Sequence, residues 1–251
     1  MFERVDIGDS GFELYYEDVG EGPPVVFCHG FSDNHLSWWR NLPTLSEDYR
    51  CLAPDQRSFG RSLDPTDRGV AALADDLLGL LDALGLERAA LVGHSMGGWP
   101  VASVASQHPE RVAGLVLSAT PGGLIDPDRH RELMAASDVS PPESPPVSRE
   151  LAFLSGAIGA LNTDSPEDWE PTRAILDEFA LDADTVRAEV PTLLVAGEYD
   201  EFMPAVAVEA VADRLGADSV VVDGAAHSVF YERPEAFDRA VLKFLADRAD
   251  F

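Results

Sequence analysis

The sequence predicts an α/β protein in which a mostly parallel, eight-stranded sheet is flanked by helices and interrupted by one helical insertion. Short apolar runs bounded by turn residues alternate with longer amphipathic stretches, as expected of a parallel sheet covered on both faces. The alternation stops between Pro121 and Glu189, where no strand-like run occurs. The 251 residues are 45% hydrophobic and 25% charged, enough for one sizeable core and unlike a disordered, collagen-like or coiled-coil chain.

Two early strands, Phe2–Ile7 and Phe12–Asp18, are joined by Gly8-Asp9-Ser10-Gly11, a hairpin-like link. Val25–Cys28 reads as a buried strand, Leu36–Leu45 as a helix and Tyr49–Ala53 as a strand. Val70–Leu84 is an amphipathic helix, with Leu73, Leu77, Leu80, Leu81 and Leu84 on one face. Ala89–Val92 and Val112–Ser118 are buried strands with the helix Met96–Gln107 between them. Val190–Ala196 and Ser219–Val222 complete the strands, with helices at Val206–Leu215 and Pro234–Ala249. Residues 1–120 and 190–251 therefore form the core. Residues 121–189 are expected to form a helical cap on the loop edge of the sheet, with helical patches at Arg129–Ala136, Arg149–Leu161, Trp169–Phe179 and Asp182–Arg187. A proline cluster at Pro141, Pro142, Pro145 and Pro146 separates the first two patches.

Eighteen basic against 45 acidic residues give a net charge of −27, a field that repels nucleic acid and anionic lipid and argues against both as partners. The acidic residues are dispersed and form no single tail. Lys243 is the only lysine, so 17 of the 18 basic residues are arginine, a skew like that of proteins from salt-accumulating halophiles. No apolar run reaches the roughly 18 residues that span a bilayer, and the N-terminus has no basic-then-apolar signal pattern, so a cytoplasmic location is expected. Cys28 and Cys51 lie inside apolar runs and read as buried thiols of a reducing compartment. The six histidines show no metal-ligand spacing, and no cofactor is implied.

Directly after the strand Ala89–Val92 stands Gly93-His94-Ser95-Met96-Gly97, followed by a helix, the context of a nucleophile elbow. A strand turning sharply into a helix strains the serine backbone, and Cβ atoms at Gly93 or Gly97 would collide with their neighbours. Ser95 is the candidate nucleophile. Four further motifs accompany it in order: Phe27-Cys28-His29-Gly30-Phe31, Asp55-Gln56-Arg57-Ser58-Phe59-Gly60-Arg61-Ser62, Gly197-Glu198-Tyr199-Asp200 and Ala225-Ala226-His227-Ser228. On these five motifs the chain resembles the α/β-hydrolase superfamily, in its esterase and lactonase group with a helical cap. The resemblance covers nearly the whole chain and implies the α/β-hydrolase fold. Two departures stand out. The family usually has glycine where Ser58 stands, and Pro100, about five residues into the elbow helix, cannot bond the carbonyl of Met96, so a local distortion is expected.

A serine hydroxyl needs a base within hydrogen-bond reach. His227 lies in the turn that the family uses, in the chain order serine, acid, histidine, whereas His35, His108 and His130 lie in other settings and His94 stands beside the serine pointing elsewhere. A carboxylate must orient the imidazole. Glu198, Glu201 and Asp223 compete for that place, and the family spacing favours Asp200. Two N–H donors for an oxyanion would come from Met96, after the nucleophile, and Phe31, after the third strand. His29 reads as a hydrogen-bonding prop for that loop, and Phe31, Trp38, Trp39 and Trp99 are candidates to line a substrate pocket, although the tryptophans could equally be core.

The resemblance implies a serine hydrolase of small carboxylic esters or lactones, its partner being the small-molecule substrate. Serine at the elbow argues against the epoxide hydrolases and haloalkane dehalogenases of the family, which use aspartate there. An enol-lactone hydrolase, a carbon–carbon bond hydrolase and a cofactor-free perhydrolase share the same triad, and a small-molecule receptor on a hydrolase fold is the alternative of another class.

The charge generates a test. At 0.01 M salt the Debye length is about 30 Å and the acidic surface repels itself, whereas molar salt shortens it to about 3 Å. The melting temperature is therefore expected to rise from low salt into molar KCl, and a flat chloride response would count against a high-salt adaptation.

Overall fold

The computed structural model describes residues 2–7, 11–139, 147–179 and 181–251. The expected hairpin link at 8–10 and the proline cluster Pro141, Pro142, Pro145 and Pro146 lie outside these residues. Strands β1 (Phe2–Ile7), β2 (Phe12–Val19), β3 (Pro24–Cys28), β4 (Arg50–Pro54), β5 (Ala89–His94), β6 (Val112–Ser118), β7 (Thr192–Gly197) and β8 (Asp218–Val222) form one sheet. Their order is β1-β2-β4-β3-β5-β6-β7-β8, antiparallel from β1 to β4 and parallel from there onward.

Both faces of the parallel part are covered from β4 through β7, which is why these strands read as continuous apolar runs. Val26, Cys28, Leu91, Leu117 and Leu194 point to one face, where α2 (Leu73–Ala83), α3 (Gly98–Gln107) and α8 (Ala205–Leu215) pack. Val25, Phe27, Val92, Val116 and Val195 point to the other, against α1 (Leu42–Leu45) and α10 (Pro234–Arg248). Cys28 and Cys51 are free and buried on opposite faces, and burial pushes both thiols up to about 12. Among the described residues the edge strand β8 pairs only with β7, and four of its five residues are exposed. Among the described residues no helix is long and apolar enough to cross a membrane.

The expected helix Leu36–Leu45 is two pieces, a 3-10 helix over His35–Arg40 followed by α1. Pro43 has no N–H for the carbonyl of Trp39, and the Asn41 amide between the pieces donates to Phe230 O at 3.0 Å and to Asp238 Oδ1 at 2.7 Å. The expected helix Val70–Leu84 likewise opens with a 3-10 turn over Gly69–Ala72.

Among the described residues, four helices lie between β6 and β7: α4 (Pro127–Ala136), α5 (Arg149–Gly159), α6 (Trp169–Leu176) and α7 (Ala183–Glu189). Ala183 and Val186 of α7 join the main core against α3 and α8, so the flanking layer resumes before β7 begins. The end of α5 is tied to the loops after β3 and β4 through Asn162, which accepts from Gly60 N at 2.9 Å and donates to Asp33 O at 3.0 Å. Asn34 reinforces the join by donating to Ile158 O at 2.9 Å.

Asp238 sits in this frame as a buried carboxyl that accepts from the Asn41 amide, and burial pushes it up to about 6. An acid held above its unfolded value binds its proton more tightly in the folded state, so the folded state is penalised as pH rises toward 6 and the penalty persists above it. The full penalty is at most about 3 kcal/mol. The Asp238→Asn variant is therefore expected to melt several degrees higher than wild type at pH 8, with the gain vanishing below about pH 4, as scanning calorimetry at the two pH values would show.

Candidate active site

Strand β5 is central and wholly buried, and at its end the chain turns so abruptly that Ser95 takes φ +48°, a region that side chains other than glycine's rarely visit. A 3-10 turn over Ser95–Gly97 leads into α3. The two glycines make this turn possible. A Cβ on Gly93 would lie 2.5 Å from the carbonyl oxygen of Gly97, and one on Gly97 would run into the carbonyl of Cys28. That approach sets the segment carrying Met96 against the loop that carries Phe31. Because α3 begins at Gly98, Pro100 falls in its first turn, where an N–H has no intrahelical partner, so the expected distortion is confined to the 3-10 turn.

His227 follows β8 and Asp200 follows β7, and the two loops bring them to Ser95. His227 Nε2 lies 3.0 Å from Ser95 Oγ, and its Nδ1 lies 2.9 Å from Asp200 Oδ2. Asp200 is fully buried, and its Oδ1 accepts from the backbone N–H groups of Phe202 at 2.9 Å and Met203 at 2.8 Å. A carboxylate oxygen facing Nδ1 fixes the proton there and leaves Nε2 free to accept one from the serine. The competing acids are elsewhere: Glu201 and Asp223 are exposed, and Glu198 accepts from Gly224 N.

The histidine loop is held from two sides. Tyr199 N donates to Ala225 O at 2.8 Å, and Glu232 accepts from the backbone N–H groups of Ala226 and Ser228. Glu232 ends α9 (Val229–Glu232), a short helix that sequence reasoning did not anticipate, and burial raises its carboxyl. His94 is buried with its ring centroid 5.1 Å from that of His227, so it does not point away from the site as expected. Burial first, and His227 second, push its imidazole well below the usual histidine range, which keeps it uncharged beside the base. His29 behaves as the expected prop, accepting from Gln56 N at 3.0 Å through Nε2. Ser58 takes φ +69°, so the serine adopts a backbone shape that favours glycine.

Ser95 and His227 open into a cavity of about 360 Å³ whose wall is mainly apolar. Phe31 and Trp99 line it as expected. Trp38 does not: it is fully buried in the core, with its ring centroid 5.3 Å from Phe27 and 4.3 Å from Phe230. It occupies the inner face of the 3-10 helix, and Trp39 on the outer face is exposed and does not line the cavity. The aromatic side chains that join Phe31 and Trp99 are Trp169 of α6 and Phe202 of the acid loop. Trp169 stands edge-on to Phe31 at 5.5 Å and to Trp99 at 6.0 Å. His130 and Arg173 of the insertion also reach the cavity. The signal for this wall was present in α6, where Trp169 and Arg173 stand four residues apart and share one face.

Comparison with known proteins agrees with this fold. Residues 23–163, more than half of the chain, match the family described as alpha/beta hydrolase fold, and residues 168–249 match the family described as TAP-like protein. The putative carbamate hydrolase RutD of Caulobacter sp. (strain K31) is 30% identical over 93% of this chain and 96% of its own length. An epoxide hydrolase of Caballeronia sordidicola is 41% identical over 113 residues, 43% of this chain, and the match spans only 34% of that protein. Among solved structures, a thermophilic esterase from Thermogutta terrifontis superposes with a TM-score of 0.79 at 27% identity, covering 100% of both chains.

Proposed function

The chain belongs to the α/β-hydrolase family, and from that premise we propose that it is a serine hydrolase of small carboxylic esters or lactones acting through an acyl-enzyme. The observation that carries this reading is the unbroken chain of contacts from Ser95 Oγ through His227 to the buried Asp200, opening on a mainly apolar cavity. The similar Thermogutta terrifontis protein is an esterase, which supports the same reading.

Ser95 Oγ attacks the acyl carbon while its proton passes to His227 Nε2, and Asp200 keeps the imidazole in the tautomer that can take it. The N–H groups of Phe31 and Met96 stabilise the oxyanion, the leaving alcohol departs with the proton from His227, and water activated by the same nitrogen clears the acyl group. A lactone opens by the same steps with the leaving alcohol still tethered. The helical insertion acts as a cap: its Trp169 closes the aromatic wall and so sets which acyl or alcohol groups fit.

Ser95→Ala is expected to lower hydrolysis of p-nitrophenyl butyrate by on the order of 10⁵ to 10⁶ without loss of fold, and a serine-directed phosphonate should label Ser95 alone. Labelling elsewhere, or wild-type rates in the variant, would remove the nucleophile from Ser95.

The acid is tested separately. Asp200→Asn should cost about three to four orders of magnitude in kcat by permitting the wrong imidazole tautomer, whereas Glu198→Gln and Glu201→Gln should cost less than about tenfold. A crippled Glu198→Gln beside an active Asp200→Asn would reassign the acid.

A further inference from the structure

The acyl carbon that Ser95 Oγ attacks carries three groups: a carbonyl oxygen, an alcohol oxygen and an acyl chain. On the serine-hydrolase reading, on which this inference rests, the carbonyl oxygen turns to the N–H groups of Phe31 and Met96. The alcohol oxygen must receive a proton from His227 Nε2, the atom that lies 3.0 Å from Ser95 Oγ. It therefore has to come within hydrogen-bond reach of that nitrogen, and its carbon substituent then lies beside the imidazole. The acyl chain is left with the rest of the cavity, whose wall at Trp99, Ala119, Thr120 and Pro121 is buried.

Among the described residues, two rings stand against that imidazole. His94, with its centroid 5.1 Å away, is buried and does not line the cavity. Phe202, with its centroid 5.3 Å away and its plane inclined by 61°, lines the cavity and is 75% exposed. Its backbone is fixed, because the Phe202 N–H donates at 2.9 Å to Asp200 Oδ1, the partner of the oxygen that faces His227. The acid that orients the base thus also anchors the aromatic ring. A ring so exposed beside the reacting atoms offers apolar area that a ligand removes from water, on the side where the alcohol arm must lie. We propose that Phe202 is the platform for the alcohol arm, so that the preferred substrates are esters whose alcohol carries an aromatic ring one methylene from the ester oxygen, as in benzyl esters. An edge-on or offset aromatic pair at that position adds to the area it buries.

Ethyl, cyclohexylmethyl and benzyl acetates form the same acyl-enzyme and differ in the alcohol arm alone. Wild type is expected to prefer benzyl over ethyl acetate by about tenfold or more in kcat/KM, with cyclohexylmethyl acetate between them. Phe202→Ala should bring the benzyl-to-ethyl ratio to within about twofold of unity, Phe202→Leu should keep part of it and Phe202→Tyr most of it. Phe153→Ala, on an exposed cap phenylalanine outside the cavity, should leave the ratio intact. The ratio of ethyl butyrate to ethyl acetate reads the acyl arm and should move by less than about twofold in Phe202→Ala. An equal loss on all three acetates in Phe202→Ala would mean that the ring only steadies the imidazole. That result, no benzyl preference in wild type, or an acyl ratio that shifts as far as the alcohol ratio would each overturn the proposal.

The reverse of acylation gives a second readout. Benzyl alcohol on Phe202 passes its proton to His227 Nε2 as its oxygen bonds the acyl carbon, the bond from that carbon to Ser95 Oγ breaks, and the proton moves on to Ser95 Oγ. With p-nitrophenyl acetate as donor and equal concentrations of the two alcohols, wild type should form benzyl acetate about fivefold or more faster than ethyl acetate, and Phe202→Ala should remove the difference. Equal transfer to both alcohols in wild type would overturn the proposal. A binding arm separates failure of the platform from failure of the enzyme assignment. In the Ser95→Ala background, benzyl acetate should bind by calorimetry about fivefold or more tightly than ethyl acetate, and adding Phe202→Ala should remove the difference. If wild type cleaves no ester but this discrimination is present, the hydrolase reading falls and the aromatic platform stands. If esters are cleaved and no discrimination appears, the platform falls alone.

Discussion

The backbone at Ser95 can be held left-handed only because the elbow passes within contact distance of the loop after β3, an approach that Gly97 permits and a Cβ would block. Holding a serine at positive φ costs roughly 1 to 2 kcal/mol, and the buried neighbours of β5 on both sides keep the turn from relaxing. One close contact thus raises the serine hydroxyl at the end of the sheet and sets the Met96 segment beside the Phe31 loop. Everything else in the site is arranged around that fixed point.

The remaining parts arrive from the other half of the sheet, and backbone contacts set their geometry. Asp200 receives two backbone N–H groups on the oxygen that does not face His227, so its carboxylate plane is set before the histidine is considered. Glu232 does the same for the loop, gripping the N–H groups on either side of His227. Uncharged His94 fills the space behind the base, so no second positive charge competes with a protonated His227.

Most of the fold was legible because parallel strands buried on both faces leave unbroken apolar runs, and Ala89–His94 and Val112–Ser118 differ little from their expected spans. Ser95 was legible because it follows directly on such a run, whereas Asp200 and His227, three and five residues beyond the ends of β7 and β8, were reached through the family motifs. The failures share one cause, that amphipathic spacing says a residue is buried without saying against what. Trp38 and Trp169 look alike in sequence, yet Trp38 faces Phe27 and Phe230 inside the core while Trp169 faces the cavity. The split at Asn41 escaped notice because its amide is committed to Phe230 and Asp238, nearly two hundred residues downstream. His130 read as one polar histidine among several, and its role in the cavity wall depends on Arg173, which lies on a different helix.

The last strand carries a consequence for self-association. β8 presents an open row of backbone donors and acceptors, with Val220 and Val221 each 37% exposed, the kind of edge on which another copy could continue the sheet. The exposed Asp223 follows that strand, so each encounter between two such edges brings together two bodies that each carry −27. Like charge therefore acts as the gatekeeper of an edge that shape alone would leave adhesive, and concentrated salt, by screening it, removes that guard.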